Sequence, residues 1–243
     1  MRRHPKTGLA KKGFGLIKTP AKQQRPISRA KIATIYAHLQ ELDPHPKTEL
    51  NYSNPYTLVV AVALSAQATD VGVNKATKAL FALADNPKDM LALGEDKVRD
   101  MIKTIGLFRN KAKNVIGLSN KLLEEFGGEV PQTREELISL PGVGRKTANV
   151  VLNVAFGQPT IAVDTHIFRV GNRTGMAPGK NPDQVEDVLM RVTPPEYLQH
   201  AHHWLILHGR YTCLARKPRC WLCRVSDVCR FKDKTPAPDE GQN

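Results

Sequence analysis

The chain reads Leu140-Pro141-Gly142-Val143-Gly144-Arg145-Lys146-Thr147-Ala148 near its middle, and Val163-Asp164-Thr165-His166 shortly after. Two glycines bracket a short turn, and the apolar residues that follow, from Ala148 to Ala155, predict a buried helix. Before the turn, Thr133 and Glu136 have the spacing of a capping box, which predicts a helix from Thr133 to Leu140. The pattern is therefore a helix, a glycine-rich hairpin and a second helix.

This hairpin also predicts a phosphate-binding site and a nucleophilic lysine. Free backbone N–H groups at the start of the second helix suit a phosphate oxygen. Lys146 lies in the first turn of that helix, where Arg145 and the positive end of the helix dipole both disfavour a protonated amine. A neutral amine is a nucleophile, so Lys146 is a candidate for covalent catalysis.

Asp164 meets Lys146 only if the chain turns back. A helix of about eleven residues from Arg145 rises roughly 16 Å, and the loop of residues 157–163 is long enough to cover that distance again. Asp164 would then cap the next helix and face the same pocket as Lys146. The alternative is that Asp164 is a helix cap and nothing more.

Composition predicts a globular chain with a basic N-terminal tail. The 243 residues are 41% hydrophobic, which is sufficient for a core, and no apolar run approaches the length of a membrane span. Residues 1–31 hold ten Lys or Arg and no Asp or Glu, so the rest of the chain has a net charge of only +3. We expect residues 1–26 to be a disordered tail that attracts phosphates; the alternative is an organellar transit peptide. Residues 234–243 form a second polar tail.

The pattern between these tails is helical. Ser28 predicts the start of a helix that ends at Leu42, and a second helix from Tyr56 to Leu64 is apolar on nearly all sides. Further helices are expected from Thr69 or Asp70 to Ala84, and over residues 96–105 and 110–126. Strand-type alternation is scarce, so the fold class is all-α.

The four cysteines lie within seventeen residues, with the spacing C-x6-C-x2-C-x5-C: Cys213, Cys220, Cys223 and Cys229. One metal site explains this concentration better than scattered thiols do. Iron–sulfur clusters accept four cysteines at varied spacing, and zinc and disulfides are the alternatives. The histidines at 200, 202, 203 and 208 have no carboxylate partner at metal spacing, and we interpret them as helix residues rather than ligands.

The segments LPGVGRKTANVVLN and VDTHIFRV, together with the four-cysteine loop, resemble the endonuclease III family of DNA glycosylases. The resemblance covers residues 27–233. It implies two helical lobes with a DNA cleft between them. A six-helix lobe of residues 48–158 would contain the helix-hairpin-helix, and residues 27–47 plus 159–233 would form a lobe that carries a [4Fe-4S] cluster on the four cysteines.

The same resemblance implies roles for individual residues. Lys146 would attack C1′ of a flipped nucleotide, and Asp164 would stabilise the charge that develops there. Gln67 would enter the space left by that nucleotide, while Leu107 would wedge into the base stack from the opposite side; the alternative for Leu107 is a core position. The remaining DNA contacts would come from the hairpin and the cysteine loop: Gly142, Gly144, Arg145, Lys217 and Arg219.

The function that this resemblance implies is a bifunctional DNA glycosylase and abasic-site lyase of base-excision repair. Its partner would be double-stranded DNA with an oxidised pyrimidine or an abasic site, and no membrane. We expect a monomer in the cytoplasm, at the nucleoid if the cell is bacterial. Two alternatives stay open. One is an adenine-type glycosylase, which would lack Lys146 and extend further beyond Cys229; the other is a noncatalytic iron–sulfur DNA-binding protein.

Overall fold

The computed structural model describes residues 24–238, and the predicted N-terminal tail up to residue 23 lies outside this range. Within residues 24–238 the structure is all-α, as predicted, with no strand. It contains two short 3-10 turns and ten α-helices: α1 Arg29–Leu42, α2 Pro55–Leu64, α3 Asp70–Leu83, α4 Pro87–Met101, α5 Phe108–Phe126, α6 Arg134–Ser139, α7 Arg145–Phe156, α8 Thr165–Thr174, α9 Pro182–Val192 and α10 Leu198–Tyr211.

Most helices begin at a polar residue whose side chain accepts a hydrogen bond from the first turn, which satisfies a free backbone donor. These residues are Ser28, Asn54, Thr69, Asn86, Thr133, Asp164 and Asn181. The predicted capping box is confirmed, since Thr133 and Glu136 bond to each other. By contrast, the cap positions of α5 and α7 are held by Leu107 and Gly144, and neither residue makes a side-chain capping bond. The first amides of these two helices are left without a capping side chain.

The prediction for α4 was wrong in its bounds. A helix was expected over residues 96–105, whereas α4 runs from Pro87 to Met101 and is interrupted at Gly94, where φ is +75°. Asn86 caps the first segment and Pro87 occupies its first position, a strong start signal. Gly94 permits the left-handed backbone conformation that joins the two segments.

The helices surround two hydrophobic cores. The first core is built on α2, which is buried on all sides, and includes Leu58, Val73, Leu118, Leu137 and Val151. The second core joins α1 to α8, α9 and α10 through residues such as Ile35, Ile167, Leu189 and Trp204. The lobe boundaries at residues 48 and 158 stay a prediction; Ala162, which follows residue 158, lies in the first core.

Both ends of the described chain pack on the second core. The Ile27 amide donates to Gly175, and Arg230 donates to the Arg25 carbonyl at 2.7 Å. Lys234 donates to Ser226 at 2.6 Å, and Thr235 bonds to Pro218. The predicted tails, residues 1–26 and 234–243, stay a prediction: of them only residues 24–26 and 234–238 are described, and residues 239–243 lie outside the described range. No helix within residues 24–238 has the length and hydrophobicity that crossing a membrane requires.

Candidate active site

The hairpin between α6 and α7 is anchored in the first core by buried Leu140 and Val143. Gly142 has φ of +77°, and a Cβ atom there would lie 2.9 Å from the side chain of Asn114 on α5. Glycine is therefore required both by backbone conformation and by close packing. Gly144 differs, since a Cβ atom there would meet nothing within 4 Å. The space in front of the first amides of α7 is open.

Lys146 is the second residue of α7, and its side chain is exposed. The chain returns from α7 along a loop that Asn153 holds, because its side-chain amide donates to the carbonyls of Gln158 and Thr160. Asp164 follows this loop and caps α8, with its Oδ1 accepting from the Ile167 amide at 2.8 Å. Asp164 also lines the same pocket as Lys146. The cap interpretation is therefore correct without excluding a role in the pocket.

This pocket has a volume of about 490 Å³ and lies between the two cores. Four helices begin at its wall: α3 at Asp70, α7 beside Lys146, α8 at Asp164 and α9 at Pro182. Because each helix carries a partial positive charge at its N-terminus, the convergence favours an anionic ligand. A phosphodiester backbone has this charge.

Two side chains of α10 contribute to the pocket: half-buried Arg210, which no sequence pattern indicated, and buried His202, which was expected to be a helix residue rather than a ligand. Arg210 donates to Asp70 at 2.6 Å and also pairs with Glu49. His202 is buried, and its Nδ1 has no hydrogen-bond partner among the described residues. Burial first, and then the positive charges of neighbours that include Lys146, lower the pKa of His202 to about 3. Its imidazole is therefore neutral at neutral pH.

Arg145, a predicted DNA contact, has its guanidinium bonded to two carboxylates of α9. Its Nε and Nη2 donate to the Glu186 carboxylate at 2.9–3.2 Å, and Nη2 also donates to Asp187 at 3.2 Å. This hydrogen bonding raises the pKa of the guanidinium, so Arg145 stays charged. Its charge is directed at carboxylates of α9.

Gln67 and Leu107 share an uncommon backbone conformation. Gln67 has φ of +55° and Leu107 has φ of +59°, although left-handed residues other than glycine are strained. Both side chains are exposed, and Leu107 retains 56% of its accessible surface. The core alternative for Leu107 is therefore wrong. The two turns lie side by side, since a Cβ atom on Gly106 would be 4.0 Å from the Gln67 carbonyl oxygen. Gln67 lines the pocket.

The cysteines at 213, 220, 223 and 229 line one small cavity. All four thiols are free in this structure. No set of three or more His, Cys, Asp or Glu side chains in residues 24–238 is arranged for a single metal ion; the sulfur atoms surround a shared space instead. Burial raises the pKa of Cys223 to about 11. The neighbours of the cavity are a cation and an imidazole: Arg173 donates to Cys213 Sγ at 3.7 Å, and His208 Nε2 lies 3.8 Å from Cys223 Sγ.

Two arginines of α8 hold the loop of residues 213–219, and the sequence pattern did not reveal them. Arg169 donates to the Cys213 carbonyl at 2.9 Å, and Arg173 donates to Leu214 and Ala215 at 2.6 and 2.9 Å. Within this loop Lys217 has φ of +47°, and Lys217 and Arg219 are exposed. The helix that Asp164 caps thus also supports the basic loop.

The chain is similar to proteins of known function. Residues 60–195 match the model of the HhH-GPD superfamily base excision DNA repair proteins. The chain is 60% identical over 208 residues to endonuclease III of Escherichia coli strain K12, a match that covers 86% of this chain and 99% of the relative. Endonuclease III of Haemophilus influenzae is 57% identical over the same length and the same shares of both chains.

The fold is also similar to solved structures. One is a trapped endonuclease III–DNA covalent intermediate, which superposes with a TM-score of 0.79 and 43% sequence identity. The match covers 84% of this chain and 96% of that one. A non-covalent endonuclease III–DNA complex matches with the same TM-score, identity and coverage.

Proposed function

The chain belongs to the endonuclease III family, within the HhH-GPD superfamily of base-excision DNA repair proteins, and we propose that it removes oxidised pyrimidines through a covalent intermediate on Lys146. As a member of this family it is a DNA glycosylase with an abasic-site lyase activity. The observation that carries the residue assignment is that Lys146 and Asp164, which are distant in sequence, line one pocket where four helices begin.

The reaction follows from this arrangement. The Lys146 amine attacks C1′ of the sugar, the glycosidic bond breaks, and the base leaves with the bonding electrons and a proton. The sugar ring opens to give a protonated Schiff base between Lys146 and C1′. Loss of a proton from C2′ then expels the 3′ phosphate, and hydrolysis by water regenerates the lysine. Asp164, held by the Ile167 amide, stabilises positive charge at C1′ and assists the proton transfers.

DNA must present the nucleotide outside the base stack before this chemistry begins, which costs a few kcal/mol. The exposed side chains of Gln67 and Leu107 support an assignment as the groups that offset this cost. Their turns are adjacent, and their strained backbone directs both side chains away from the first core. The open space at Gly144 supports a phosphate contact at the first amides of α7.

The cysteine cavity supports a [4Fe-4S] cluster. Four thiols line one space, and Arg173 offers a charge-assisted N–H···S contact that stabilises a thiolate. When bound, the cluster would supply a covalent crosslink of the loop of residues 213–229. Lys217 and Arg219 would then meet DNA phosphates from a loop of fixed shape.

Borohydride trapping tests the nucleophile. Purified protein is mixed with a duplex that contains one abasic site or one thymine glycol, and the Schiff base is reduced to a stable adduct. Lys111 provides a matched control: it is buried, its Nζ has no hydrogen-bond partner in the part of the chain that the structure describes, and burial lowers its pKa. Such a lysine is a chemically reasonable rival, although it does not line the pocket.

We expect Lys111→Met to form the adduct like the wild type, and Lys146→Ala to form none while still binding the duplex. An adduct with Lys146→Ala would move the nucleophile elsewhere. DNA binding without any wild-type adduct would leave a hydrolytic glycosylase or a noncatalytic binder, and the mechanism would be wrong.

The remaining parts of the proposal concern partners. The enzyme would act as a monomer on double-stranded DNA. It would work in the compartment that holds the chromosome, which in a bacterial cell is the cytoplasm at the nucleoid. Comparing excision of thymine glycol with excision of undamaged thymine and of adenine from mismatches would test the lesion class.

A further inference from the structure

Arg145 and Glu186 form a fork-shaped ion pair that the proposed reaction does not use. Arg145 Nε lies 3.1 and 3.2 Å from the two carboxylate oxygens of Glu186, and Nη2 lies 2.9 Å from the first of them. Planar arginine–carboxylate pairs of this kind fix orientation as well as distance. The pair therefore constrains the helix terminus to which Arg145 belongs.

The Glu186 side chain is only 6% exposed. A buried carboxylate is costly unless it is paired, and the only other cation within 4 Å of Glu186 in residues 24–238 is Arg134, at 3.9 Å. Arg145 is thus the principal partner that makes the buried charge tolerable. Releasing the guanidinium to a DNA phosphate would leave Glu186 largely unpaired.

The pair joins elements that belong to different cores. Arg145 begins α7, whose apolar side chains lie in the first core, while Glu186 lies on α9, whose Val185 and Leu189 lie in the second core. One turn before Glu186, Pro182 lines the pocket, and the residue after Arg145 is Lys146. The ion pair therefore sits at the junction between the lysine and the core that carries Asp164.

We propose that Arg145 is a positioning residue: its pair with Glu186 sets the placement of Lys146 relative to Asp164 across the cleft. This inference rests on the proposed function of Lys146. It replaces the expectation that Arg145 binds a DNA phosphate. Loss of the pair would slow the covalent step while leaving most of the DNA affinity intact, because the hairpin amides and the basic loop are unchanged.

Two further carboxylates beside the Arg145 guanidinium provide matched controls. Asp187 and Asp183 lie 3.2 and 3.9 Å from Arg145, but their side chains are 67% and 70% exposed. Exposed ion pairs contribute little, since solvent screens them. Asp187→Asn and Asp183→Asn therefore each remove one negative charge beside Arg145, as Glu186→Gln does, but leave the pair of Arg145 with buried Glu186 in place.

The experiment compares Arg145→Gln, Glu186→Gln, the double variant and the two controls with the wild type. Two quantities are measured for each protein: the single-turnover rate of borohydride trapping on an abasic duplex, and the dissociation constant for a duplex with a tetrahydrofuran abasic analogue at several salt concentrations. Thermal melts verify folding, and Glu186→Asp, which keeps the charge but is shorter by one methylene, replaces Glu186→Gln if the latter does not fold. If the wild type forms no adduct, the proposed function has failed before any variant is compared.

We expect both single variants to slow trapping by about 10- to 100-fold, the effect of a small misplacement of a reacting group. The double variant should be no slower than the slower single variant, and the controls should match the wild type. The dissociation constant of each variant for the analogue should stay within about threefold of the wild-type value. The proposal is overturned if Arg145→Gln weakens DNA binding and lowers the salt dependence by about one phosphate contact, while Glu186→Gln leaves the trapping rate unchanged.

Discussion

The Thr160 hydroxyl donates a hydrogen bond to the main-chain carbonyl of Asn149 at 2.6 Å, and both residues are buried. Asn149 in turn donates from its side chain to the Ile161 carbonyl at 3.4 Å. Asn149 lies one turn after Lys146 on α7, and Thr160 lies four residues before Asp164. These bonds fasten the returning loop to the helix that carries the lysine, and thereby bring Asp164 to the same pocket.

Replacing Thr160 with valine removes this buried hydrogen bond. We expect the free energy of unfolding to fall by about 0.5–1.5 kcal/mol, the usual net contribution of one hydrogen bond, and trapping of an abasic duplex to slow because the loop loses its attachment to α7. Urea unfolding and single-turnover trapping measure the two effects. Thr34→Val is the control, since Thr34 bonds within its own exposed helix at 3.0 Å. Equal losses in the two variants would contradict the role given to Thr160.

Replacing Leu107 with glycine tests whether its side chain inserts into the DNA base stack or packs within the protein. Glycine relieves the left-handed strain but adds flexibility to the unfolded chain, so we expect unfolding free energy to change by no more than about 1 kcal/mol. Excision of thymine glycol should fall strongly, because unstacking is no longer offset. Leu118→Ala provides the contrast, since Leu118 is fully buried and should lose about 2–5 kcal/mol. A similar loss in Leu107→Gly would show that its exposed side chain contributes packing.

Replacing Gly144 with alanine tests the phosphate contact. The added Cβ meets no protein atom within 4 Å, and φ is −98°, so folding should lose no more than about 1 kcal/mol. DNA affinity should fall by about tenfold or more, because the methyl group occupies the approach to the α7 amides. Gly127→Ala is the control: φ there is +61°, so this variant should lose stability and retain affinity. Unchanged binding by Gly144→Ala would place the phosphate elsewhere.

The sequence predicted the helical class and most helix bounds because capping residues and apolar periodicity are local signals. Ser28 and Asp164 each cap the helix that they were expected to begin, and of the two candidates for the start of α3 it is Thr69 that caps. The bounds of α4 failed because Gly94 joins two helical segments that a periodicity argument treats separately.

The candidate site was less predictable, because it depends on contacts between distant residues. Nothing local distinguishes Arg210 or Arg173 from a surface arginine, yet one pairs with Asp70 and the other holds the cysteine loop. Likewise, the hairpin motif predicts a DNA contact for Arg145 and gives no indication of its pair with Glu186, because Glu186 lies 41 residues away in the sequence. Only the packing of the two cores brings these pairs together.

Replacing Arg173 with leucine tests the support of the cysteine loop. Arg173 donates to two loop carbonyls and to Cys213 Sγ, and it stacks on Phe231 with 4.7 Å to the ring centroid. Without it we expect faster loss of visible iron–sulfur absorbance under a chelator and weaker DNA binding. Arg216→Leu, an exposed change in the same loop, should retain its absorbance. If Arg173→Leu also keeps wild-type absorbance, the arginine does not support the cluster loop.

The paired histidines of α10 predict acid sensitivity. Burial lowers the pKa of His202 to about 3 and of His203 to about 4, whereas both titrate near 6.5 in the unfolded chain. The unfolded state therefore binds more protons between pH 6.5 and about 4, so stability is complete above pH 6.5 and decreases as the pH falls through this window. Each histidine contributes a slope of up to about 1.4 kcal/mol per pH unit.

Urea unfolding at pH 7, 6 and 5 measures this slope, and the variant His203→Gln isolates one of the two contributions. His203 Nε2 has no hydrogen-bond partner within residues 24–238, so the amide replaces the ring without breaking a hydrogen bond at that atom. We expect the pH dependence of the variant to be shallower than that of the wild type by about 1 kcal/mol per pH unit. His45→Gln, an exposed change in the segment after α1, is the control, because only the loss of a buried histidine should reduce the slope. Equal slopes in His203→Gln and the wild type would mean that His203 takes up a proton in the folded protein as readily as in the unfolded chain.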